Sequence, residues 1–396
     1  MSNAILTLNA GSSSLKFAIF DGADVLSTSM RGEINNLDAT PHLIARRADG
    51  AILVEKHWPA GGTEPFAFVL DTLLEFAEAH LGRDGLAAVG HRVVHGGADH
   101  IEPELITPAL IGALQELTPL DPLHMPNSLS LMQAVAAARP DLIQIACFDT
   151  AFHHTLPPVA TRFALPNALF AAGVRRYGFH GLSYEFIAGH LAQLSLALAR
   201  GRTIVAHLGS GASLCALQGG RSIETTTGFS ALDGLVMATR CGSVDPGVIL
   251  YLGREGHSFA DIEDMLYRRS GLLGVSGLSG DVRVLLASDD VRARDAIELF
   301  TYRIALHTGA MVSALGGLDG LVFTAGIGEH AVAIRAAVCE RLAWLGIKID
   351  LAANAAGAAC ISAADSKIEV RVIATDEEAM IALHTRATIR RTGPTK

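Results

Sequence analysis

The sequence has few charged residues and no concentration of positive charge. Of its 396 residues only 18% are Asp, Glu, Lys or Arg, the formal net charge is −9, and no dense run of Lys and Arg occurs. Nucleic acids and anionic membranes attract proteins through basic patches. The composition therefore predicts neither a nucleic-acid partner nor a membrane partner, and an anionic small molecule would need a locally basic pocket.

Cysteine is scarce, and the spacing of the cysteines indicates neither a disulfide scaffold nor a zinc site. The five cysteines, Cys147, Cys215, Cys241, Cys339 and Cys360, are scattered without a C-x-x-C pair. Disulfide scaffolds and zinc sites need a denser pattern. We expect five structural thiols in a reducing cytoplasm.

The sequence also predicts neither a signal peptide nor a membrane-spanning segment. The opening "MSNAILTLNA" enters a strand without the basic region of a signal peptide. The least charged long stretch, residues 308–328, contains Asp319 and six glycines, which argues against a membrane span. We therefore expect a cytoplasmic protein.

What the sequence does contain is an alternation of strands and helices. Half of the residues are hydrophobic, and a chain of this length suggests two to three domains. Short β-branched runs such as "AILTLN" and "IQIACFD" alternate with helical patterns such as "FAFVLDTLLEFAEAHL". The pattern predicts an α/β fold, and Asp149 at the end of a buried strand lies where such sheets place ligands.

One strand–turn–strand design occurs twice. "LTLNAGSSSLKFAIFD" near the start and "TIVAHLGSGASLCALQGG" in the second half each place Gly and Ser between two strands. Such turns hold phosphate oxygens through N–H groups, hydroxyls and a cation, although a Ser-rich surface turn explains either copy alone. Together they predict two similarly built halves that hold a nucleotide phosphate chain, as in the actin-like ATPase fold. A third segment, "GLDGLVFTAGIGEH" at residues 317–330, runs from a strand into glycines and is assigned to nucleoside binding.

Polar side chains cluster at the predicted strand ends and turns. The segments are "GHRVVHGG", "PLDPLHMPN", "CFDTAFHHTLP", "RRYGFHGLSYEF", "ATRCGSVDPG", "SGLSGDVR" and "IATDEEAMIALH". Each has a plain structural reading, because an arginine usually forms an ion pair, a histidine can be part of the core and an acidic residue can cap a helix. Together they contain an anion cradle, oxygen ligands for magnesium and cationic clamps, which are the parts of a phosphoryl-transfer site.

The acceptor is expected to be an anion. A kinase that phosphorylates a hydroxyl needs a base to accept the proton, whereas a carboxylate is already an ionised nucleophile. Arginines and histidines in the absence of an evident base favour a carboxylate acceptor.

Eight of these motifs, in order, resemble those of the acetate kinase family, which includes acetate and propionate kinases. They are "LNAGSSSLKF", "HRVVHGG", "FDTAFHHTLP", "YGFHG", "HLGSGAS", "TRCGSVDPG", "FTAGIGE" and "TDEE". The resemblance implies α/β architecture with two actin-like, ribonuclease H-like domains and an active site in the cleft between them. It also implies a homodimer, ATP as co-substrate, a short carboxylate as acceptor, and Mg²⁺, with Mn²⁺ as an alternative. The domains are expected at residues 1–150 plus about 379–396 and at residues 151–378, the second carrying the nucleotide site.

The resemblance also implies roles for individual residues. The catalytic residues would be Asp149, Arg92, His180, Arg240 and His124. Of these, Arg92 and Arg240 would clamp carboxylate and phosphoryl oxygens, and His180 would stabilise the transition state. The phosphate-handling loop would contain Asn9, Ser12, Ser14 and Lys16, and the acyl pocket Val94, Leu123, Phe179 and Ala231. Metal ligation would fall to Glu377, Asn9 and Asp149. Nucleotide binding would involve His207, Gly209, Ser210, Gly211, Asp281, Val282, Arg283, Gly326, Ile327, Gly328 and His330.

The sequence departs from the family pattern at several positions. Ser210 and His330 stand where the family usually has Asn, and Val282 stands where it has an aromatic residue. These changes bear on nucleotide affinity and base preference. Leu182 stands where the family has Thr. Ala231 stands where the family has Pro, and because this position is expected to line the acyl pocket, the change bears on which acid is preferred.

The leading interpretation is therefore an acetate kinase, and three alternatives remain. A propionate kinase, or less readily a butyrate kinase, would use the same machinery. An Hsp70-type ATPase of the same fold would need an appended substrate domain, and the chain ends soon after "TDEE". A non-catalytic ATP-binding paralogue would not need Arg92, Asp149, His180, Arg240 and Glu377 together.

Overall fold

The structure is a computed structural model that describes residues 4–11, 14–22, 25–37, 40–58, 66–81 and 85–392. It divides into two compact units, Met1–Ala151 with Asp376–Lys396, and Phe152–Thr375. The predicted boundaries of two folding domains, at residues 150 and about 378, remain a prediction.

The strands within the described residues are β1 Ile5–Ala10, β2 Leu15–Asp21, β3 Ser27–Asn35, β4 His42–Arg47, β5 Ile52–His57, β6 Ala88–Val93, β7 Glu104–Leu105, β8 Ile143–Phe148, β9 Arg202–Leu208, β10 Ala212–Gln218, β11 Arg221–Thr225, β12 Gly320–Thr324 and β13 Glu369–Val372. The α-helices are α1 Phe66–Leu81, α2 Pro108–Glu116, α3 Met125–Ala138, α4 Pro158–Thr161, α5 Asn167–Ala171, α6 Gly181–Leu194, α7 Leu196–Arg200, α8 Pro246–Arg254, α9 Phe259–Arg268, α10 Gly271–Ser276, α11 Val282–Leu286, α12 Val291–Leu315, α13 Ala325–His330, α14 Val332–Arg341, α15 Leu351–Ala355 and α16 Glu377–Thr392. Short 3₁₀ turns occupy Thr118–Leu120, Ala151–Thr155 and Ala343–Leu345.

The first unit is built on an eight-stranded sheet in the order β5-β4-β3-β2-β1-β6-β8-β7. Every residue of β1 is buried, because alternate side chains enter two different cores. Leu6 and Leu8 pack with Leu73 of α1 in one core, whereas Ile5 packs with Ala382 of α16 in the other. The sheet therefore lies between α1 and α3 on one face and α16 on the other.

The second unit is built on a five-stranded sheet in the order β11-β10-β9-β12-β13. Its first strand, β9, follows the same alternation. Ala206 packs with Phe300 of α12 in one core, and Val205 packs with Tyr184 of α6 in the other. Helices thus cover both faces of this sheet as well.

The two sheets share the design that the repeated turn predicts. In the first unit β1 pairs antiparallel with β2 and parallel with β6, and in the second unit β9 pairs antiparallel with β10 and parallel with β12. The predicted α/β architecture with a repeated strand–turn–strand unit is confirmed.

The third glycine-rich segment differs from its predicted form. The sequence suggests a glycine-rich turn before a helix, but residues Ala325–His330 already form the short helix α13. The chain makes its sharp turn at Ala325, whose φ of 63° lies in the left-handed region. Ala325 thus adopts a backbone conformation that is usually found at glycine.

Candidate active site

In the first unit, polar side chains meet at the carboxyl ends of three neighbouring strands. β1, β6 and β8 run parallel, so Asn9, Arg92 and Asp149 are brought to one edge of the sheet. The guanidinium of Arg92 donates from Nη2 to Asp149 Oδ2 at 2.7 Å and from Nη1 to Asn9 Oδ1 at 3.3 Å. Asp149 is fully buried and Arg92 is only 15% exposed. The edge therefore holds a buried cation bonded to two oxygen-bearing side chains.

The amino end of α16 adds two carboxylates to this network. The amide of Asn9 donates to Glu377 Oε2 at 3.0 Å and to Glu378 Oε1 at 3.3 Å. Lys16 of β2 lies directly opposite Asn9 in the antiparallel pair, so their side chains share a face. The network thus joins three acidic groups to two cations.

The charges in this network perturb one another. Burial raises the pKa of Glu377 above its ordinary value, the charge of Arg92 opposes that rise, and Asp149 adds to it. Burial and then Glu377 raise the pKa of Glu378. Burial alone would lower the pKa of Arg92, but Asp149 and Glu377 raise it above its ordinary value. Titratable groups perturbed in this way by burial and by specific partners are typical of functional sites.

Two histidines of the first unit are also fixed in orientation. His124 Nδ1 lies 2.9 Å from Asp121 Oδ1, and both side chains are buried. Such a contact holds the ring and its tautomer. The backbone N–H of Gly97 donates to His95 Nδ1 at 2.9 Å, and burial lowers the pKa of His95 to about 4. His95 is therefore a neutral ring near neutral pH.

In the second unit, His180 lies against the β9–β10 turn. Its φ is 60°, and it precedes the first turn of α6. His180 Nδ1 lies 2.7 Å from Ser213 Oγ, which in turn lies 2.5 Å from the hydroxyl of Tyr184. A Cβ at Gly211 would lie 3.2 Å from His180 Nε2, so the glycine leaves room for the ring.

His207 of β9 lies beside His180, next to the same turn. The two rings stack with their centroids 4.2 Å apart. His207 Nδ1 is 2.8 Å from Ser183 Oγ, and that hydroxyl is 2.8 Å from Thr375 Oγ1. Each of the two stacked rings is thus anchored at Nδ1 by a serine hydroxyl.

Arg240 approaches the same turn from a loop. Its Nη1 donates to the carbonyl oxygen of Ala231 at 3.2 Å and would lie 3.9 Å from a Cβ at Gly211. The structure therefore brings His180, His207 and Arg240 together around the small-residue turn that the sequence singled out.

The remaining nucleotide candidates lie on two short helices. Gly326 and His330 of α13 are exposed. Asp281 caps α11 and forms an ion pair of 2.6 Å with Arg283. Val282 is only 3% exposed and belongs to the core of the second unit. Ile327 and Gly328 also lie on α13, whereas Gly209 and Ser210 lie in the β9–β10 turn. Ser14 precedes β2, Val94 follows β6 and Leu123 precedes the cap of α3. Ser12 lies outside the described residues.

Three residues of this site escaped sequence reasoning. Tyr184 and Ser213 support His180, and Arg335 supports α13. The fully buried guanidinium of Arg335 donates to the carbonyl oxygens of Gly328 and Glu329 at 2.9 and 2.8 Å. The one available signal was a charged residue on the apolar side of "AVAIRAAVCERL".

Within the described residues, no helix has both the length and the apolar character needed to cross a bilayer.

Comparisons with known proteins agree with this fold and identify the family. The family model described as the acetokinase family matches residues 4–383. An acetate kinase from Rhodopseudomonas palustris strain TIE-1 is 54% identical, over 97% of this chain and 98% of its own. A propionate kinase from Francisella tularensis has a TM-score of 0.90 at 35% identity, covering 97% of this chain and 99% of its own. The Porphyromonas gingivalis acetate kinase has a TM-score of 0.86 at 34% identity, covering 98% and 99%.

The fold, with these relatives, defines a two-domain phosphotransferase of the actin-like class. More specifically, the chain belongs to the acetokinase family, whose members are phosphotransferases that act on a carboxyl group.

Proposed function

We propose that this protein is an acetate kinase, which reversibly transfers the γ-phosphoryl group of ATP to acetate and yields acetyl phosphate and ADP. The observation that carries the proposal is the polar network that joins Asn9, Arg92 and Asp149 at the strand ends to Glu377 at the amino end of α16, in a chain of the acetokinase family. It supplies cations and carboxylates where an α/β sheet binds its ligand.

The chemistry follows from an ionised nucleophile. A carboxylate oxygen of acetate forms a bond to the γ-phosphorus while the bond to the β,γ-bridging oxygen breaks, so ADP leaves with the electron pair. Acetate carries no proton at neutral pH, so no base is needed. We assign to Arg92 and Arg240 the neutralisation of charge on the carboxylate and phosphoryl oxygens, and to His180 a hydrogen bond that strengthens in the transition state.

Three oxygen-bearing residues of this network fit a magnesium ion. Asn9, Asp149 and Glu377 offer only oxygen ligands, which hard divalent cations prefer, and burial raises the pKa of Glu377 in a way that a bound cation would offset. These three residues would hold Mg²⁺, which neutralises charge on the phosphate oxygens when bound.

Hydroxamate trapping of the acyl phosphate tests the proposal directly. Acetate, propionate and butyrate are each offered with ATP, GTP or pyrophosphate. We expect the strongest signal with acetate, and ATP and GTP to be used with similar efficiency, because His330 and Val282 stand where the family has an amide and an aromatic residue. Absence of acyl hydroxamate with every pair would exclude an acyl kinase.

The two arginines provide the matched variants. We expect Arg92→Ala and Arg240→Ala each to lower turnover by about 10²–10³-fold, the usual cost of a lost preorganised donor. Arg139→Ala and Arg202→Ala are controls, because these arginines form ion pairs of 2.6 Å with Glu78 and 2.7 Å with Asp319 away from the network. An Arg92 or Arg240 variant as active as the controls would make that arginine a structural residue.

Propionate is the second candidate acid, and Ala231 is the residue that favours it. Alanine replaces the family proline, which removes about two methylene-sized groups, and discrimination in such pockets is only about 1–3 kcal/mol per methylene. Phe179, which is 2% exposed, belongs to the same predicted pocket. We expect Ala231→Pro to lower the propionate-to-acetate ratio of kcat/KM, and an unchanged ratio would remove residue 231 from the pocket.

We also infer a homodimer in the cytoplasm. The scattered cysteines support a reducing compartment. The dimer is supported by α8, which has no buried residue although Val248, Leu250 and Tyr251 are apolar or aromatic. An apolar helix surface of this kind is typical of a protein–protein contact.

A further inference from the structure

A group of metal-ligand side chains lies on the β4–β5 hairpin of the first unit, and none of its residues is assigned to the proposed reaction. His42 of β4 lies directly opposite His57 of β5 in the antiparallel register, so the two side chains share a face of the sheet. Glu55 precedes His57 by two residues and therefore points to the same face. The register alone thus brings two imidazoles and one carboxylate together.

The side chains converge closely. His42 Nε2 lies 3.0 Å from Glu55 Oε1, and His57 Nε2 lies 3.9 Å from the same oxygen. The imidazole rings stack with centroids 4.0 Å apart. Within the described ranges this is the one group of three His, Cys, Asp or Glu residues whose ligand atoms all lie within 4.8 Å of one another.

The surroundings of the group favour a cation. Asn35 of β3 is paired with His42, and Glu33 is paired with Ile44 on the same face, so the neighbouring strand contributes an amide and a carboxylate. Lys56 alternates to the opposite face, where its Nζ lies 4.9 Å from the centre of the Trp58 ring. Arg46 directs Nη1 to the carbonyl oxygen of Gly50 in the turn.

We propose that His42, Glu55 and His57 form a binding site for a divalent transition-metal ion, with Zn²⁺ as the test ion. Two imidazoles and a carboxylate are a common ligand set for zinc, whose bonds of about 2.0–2.2 Å place tetrahedral ligand atoms about 3.3 Å apart. The side chains are 27%, 45% and 71% exposed for His42, Glu55 and His57. Because these side chains are exposed, they can rotate to bring the ligand atoms to that separation, and the stacked rings then move apart. A water molecule would complete the fourth coordination position.

The competing explanation is a cross-strand pair that only stabilises the hairpin. A stacked histidine pair and a Glu–His contact would each contribute modestly to the strand pairing. The two explanations differ in one measurable respect, since only the metal site makes Zn²⁺ affinity depend on all three side chains.

Isothermal titration with ZnCl₂ on the full-length protein, free of nucleotide and magnesium, tests the site. We expect His42→Ala and His57→Ala each to weaken one Zn²⁺ binding event at least about tenfold, since even residues that merely support a ligand change affinity by about 10–100-fold. Glu55→Gln, which keeps shape and removes charge, should weaken the same event. His80→Ala is the matched control, because His80 is an exposed histidine in the last turn of α1.

A second readout separates this site from the reaction. Acetate kinase turnover with magnesium and ATP should be the same in all four variants and the wild type, because none of these residues belongs to the proposed catalytic network. The visible spectrum of bound Co²⁺ should lose its low-coordinate bands in both histidine variants and keep them in His80→Ala. Superimposable Zn²⁺ isotherms for the wild type, His42→Ala and His57→Ala would overturn the site and leave the proposed function untouched.

Discussion

At the level of single residues, the ring of His180 is held at Nδ1 by the hydroxyl of Ser213, which is itself bonded to the hydroxyl of Tyr184. If the Tyr184 hydroxyl donates to Ser213 and Ser213 donates to His180 Nδ1, the proton of the neutral ring is on Nε2. Tyr184 and Ser213 would then be positioning residues that set the tautomer and direction of His180.

We therefore expect Tyr184→Phe to lower kcat about 2- to 10-fold with little change in KM for ATP or acetate, since one hydrogen bond contributes about 0.5–1.5 kcal/mol. Steady-state kinetics and the pH profile of kcat measure the effect. Tyr177→Phe is the control, because the Tyr177 hydroxyl donates to the carbonyl oxygen of Gly173 at 2.8 Å in the same unit. A Tyr184 variant that behaves like the Tyr177 variant would assign the hydroxyl a purely structural part.

Residues such as Tyr184 also mark the limit of sequence reasoning. His180 and Arg92 stand in distinctive local motifs, so the sequence could point to them. The contact between Tyr184 and Ser213 joins residues 29 positions apart, and the bond from Arg335 to Asn354 joins residues 19 apart. Such contacts exist only after α6 packs on its sheet and α14 packs on α15, which no local pattern encodes.

At the scale of elements, strand β6 buries a histidine in its neutral form. His91 is 1% exposed, and its Nε2 lies 2.8 Å from Gln144 Oε1 of β8. Burial lowers the pKa of His91 from 6.5 to about 4, against the opposing effect of Gln144. The folded protein therefore binds fewer protons at this group than the unfolded chain does between those pH values.

The sign of the pH dependence follows. The stabilising contribution of neutral His91 is complete above pH 6.5 and is lost as the pH falls from 6.5 towards 4, in total about 3 kcal/mol. We expect His91→Gln to flatten the fall of the thermal unfolding midpoint between pH 7 and pH 5 relative to the wild type. His80→Gln, an exposed substitution, should retain the wild-type slope, and equal slopes in all three proteins would contradict the linkage.

The helices and strands that were predicted correctly are those that a local apolar pattern indicates. The strand "IQIACFD" and the helix "SLSLMQAVAAARPDL" are found as β8 and α3 because their apolar spacing matches one period. Helix α13 was missed, because "AGIGEH" contains two glycines and carries no apolar period. Its carbonyl groups are bonded by the buried Arg335, and its stability therefore depends on tertiary packing rather than on propensity.

For the complete protein, apolar side chains of α8 are exposed in the single chain and are expected to be covered by a partner. Helix α8 begins at a proline after the cap residue Asp245 and has no buried residue. Leu250 is 60% exposed and Tyr251 is 57% exposed. Scattered apolar side chains are ordinary on a protein surface, but a whole helix of them is expected to be covered by a partner, and the proposed homodimer supplies a second copy of the chain.

We expect the wild-type protein to be a dimer by size-exclusion chromatography with light scattering, and Leu250→Glu to shift it towards monomer, because the variant places a charge without a partner in an apolar contact. Val159→Glu is the matched control, since Val159 is 83% exposed on α4 of the same unit and stands outside α8. A monomeric wild type would contradict the homodimer itself. If the Leu250→Glu protein is dimeric at the same concentrations as the Val159→Glu protein, the dimer interface does not include α8.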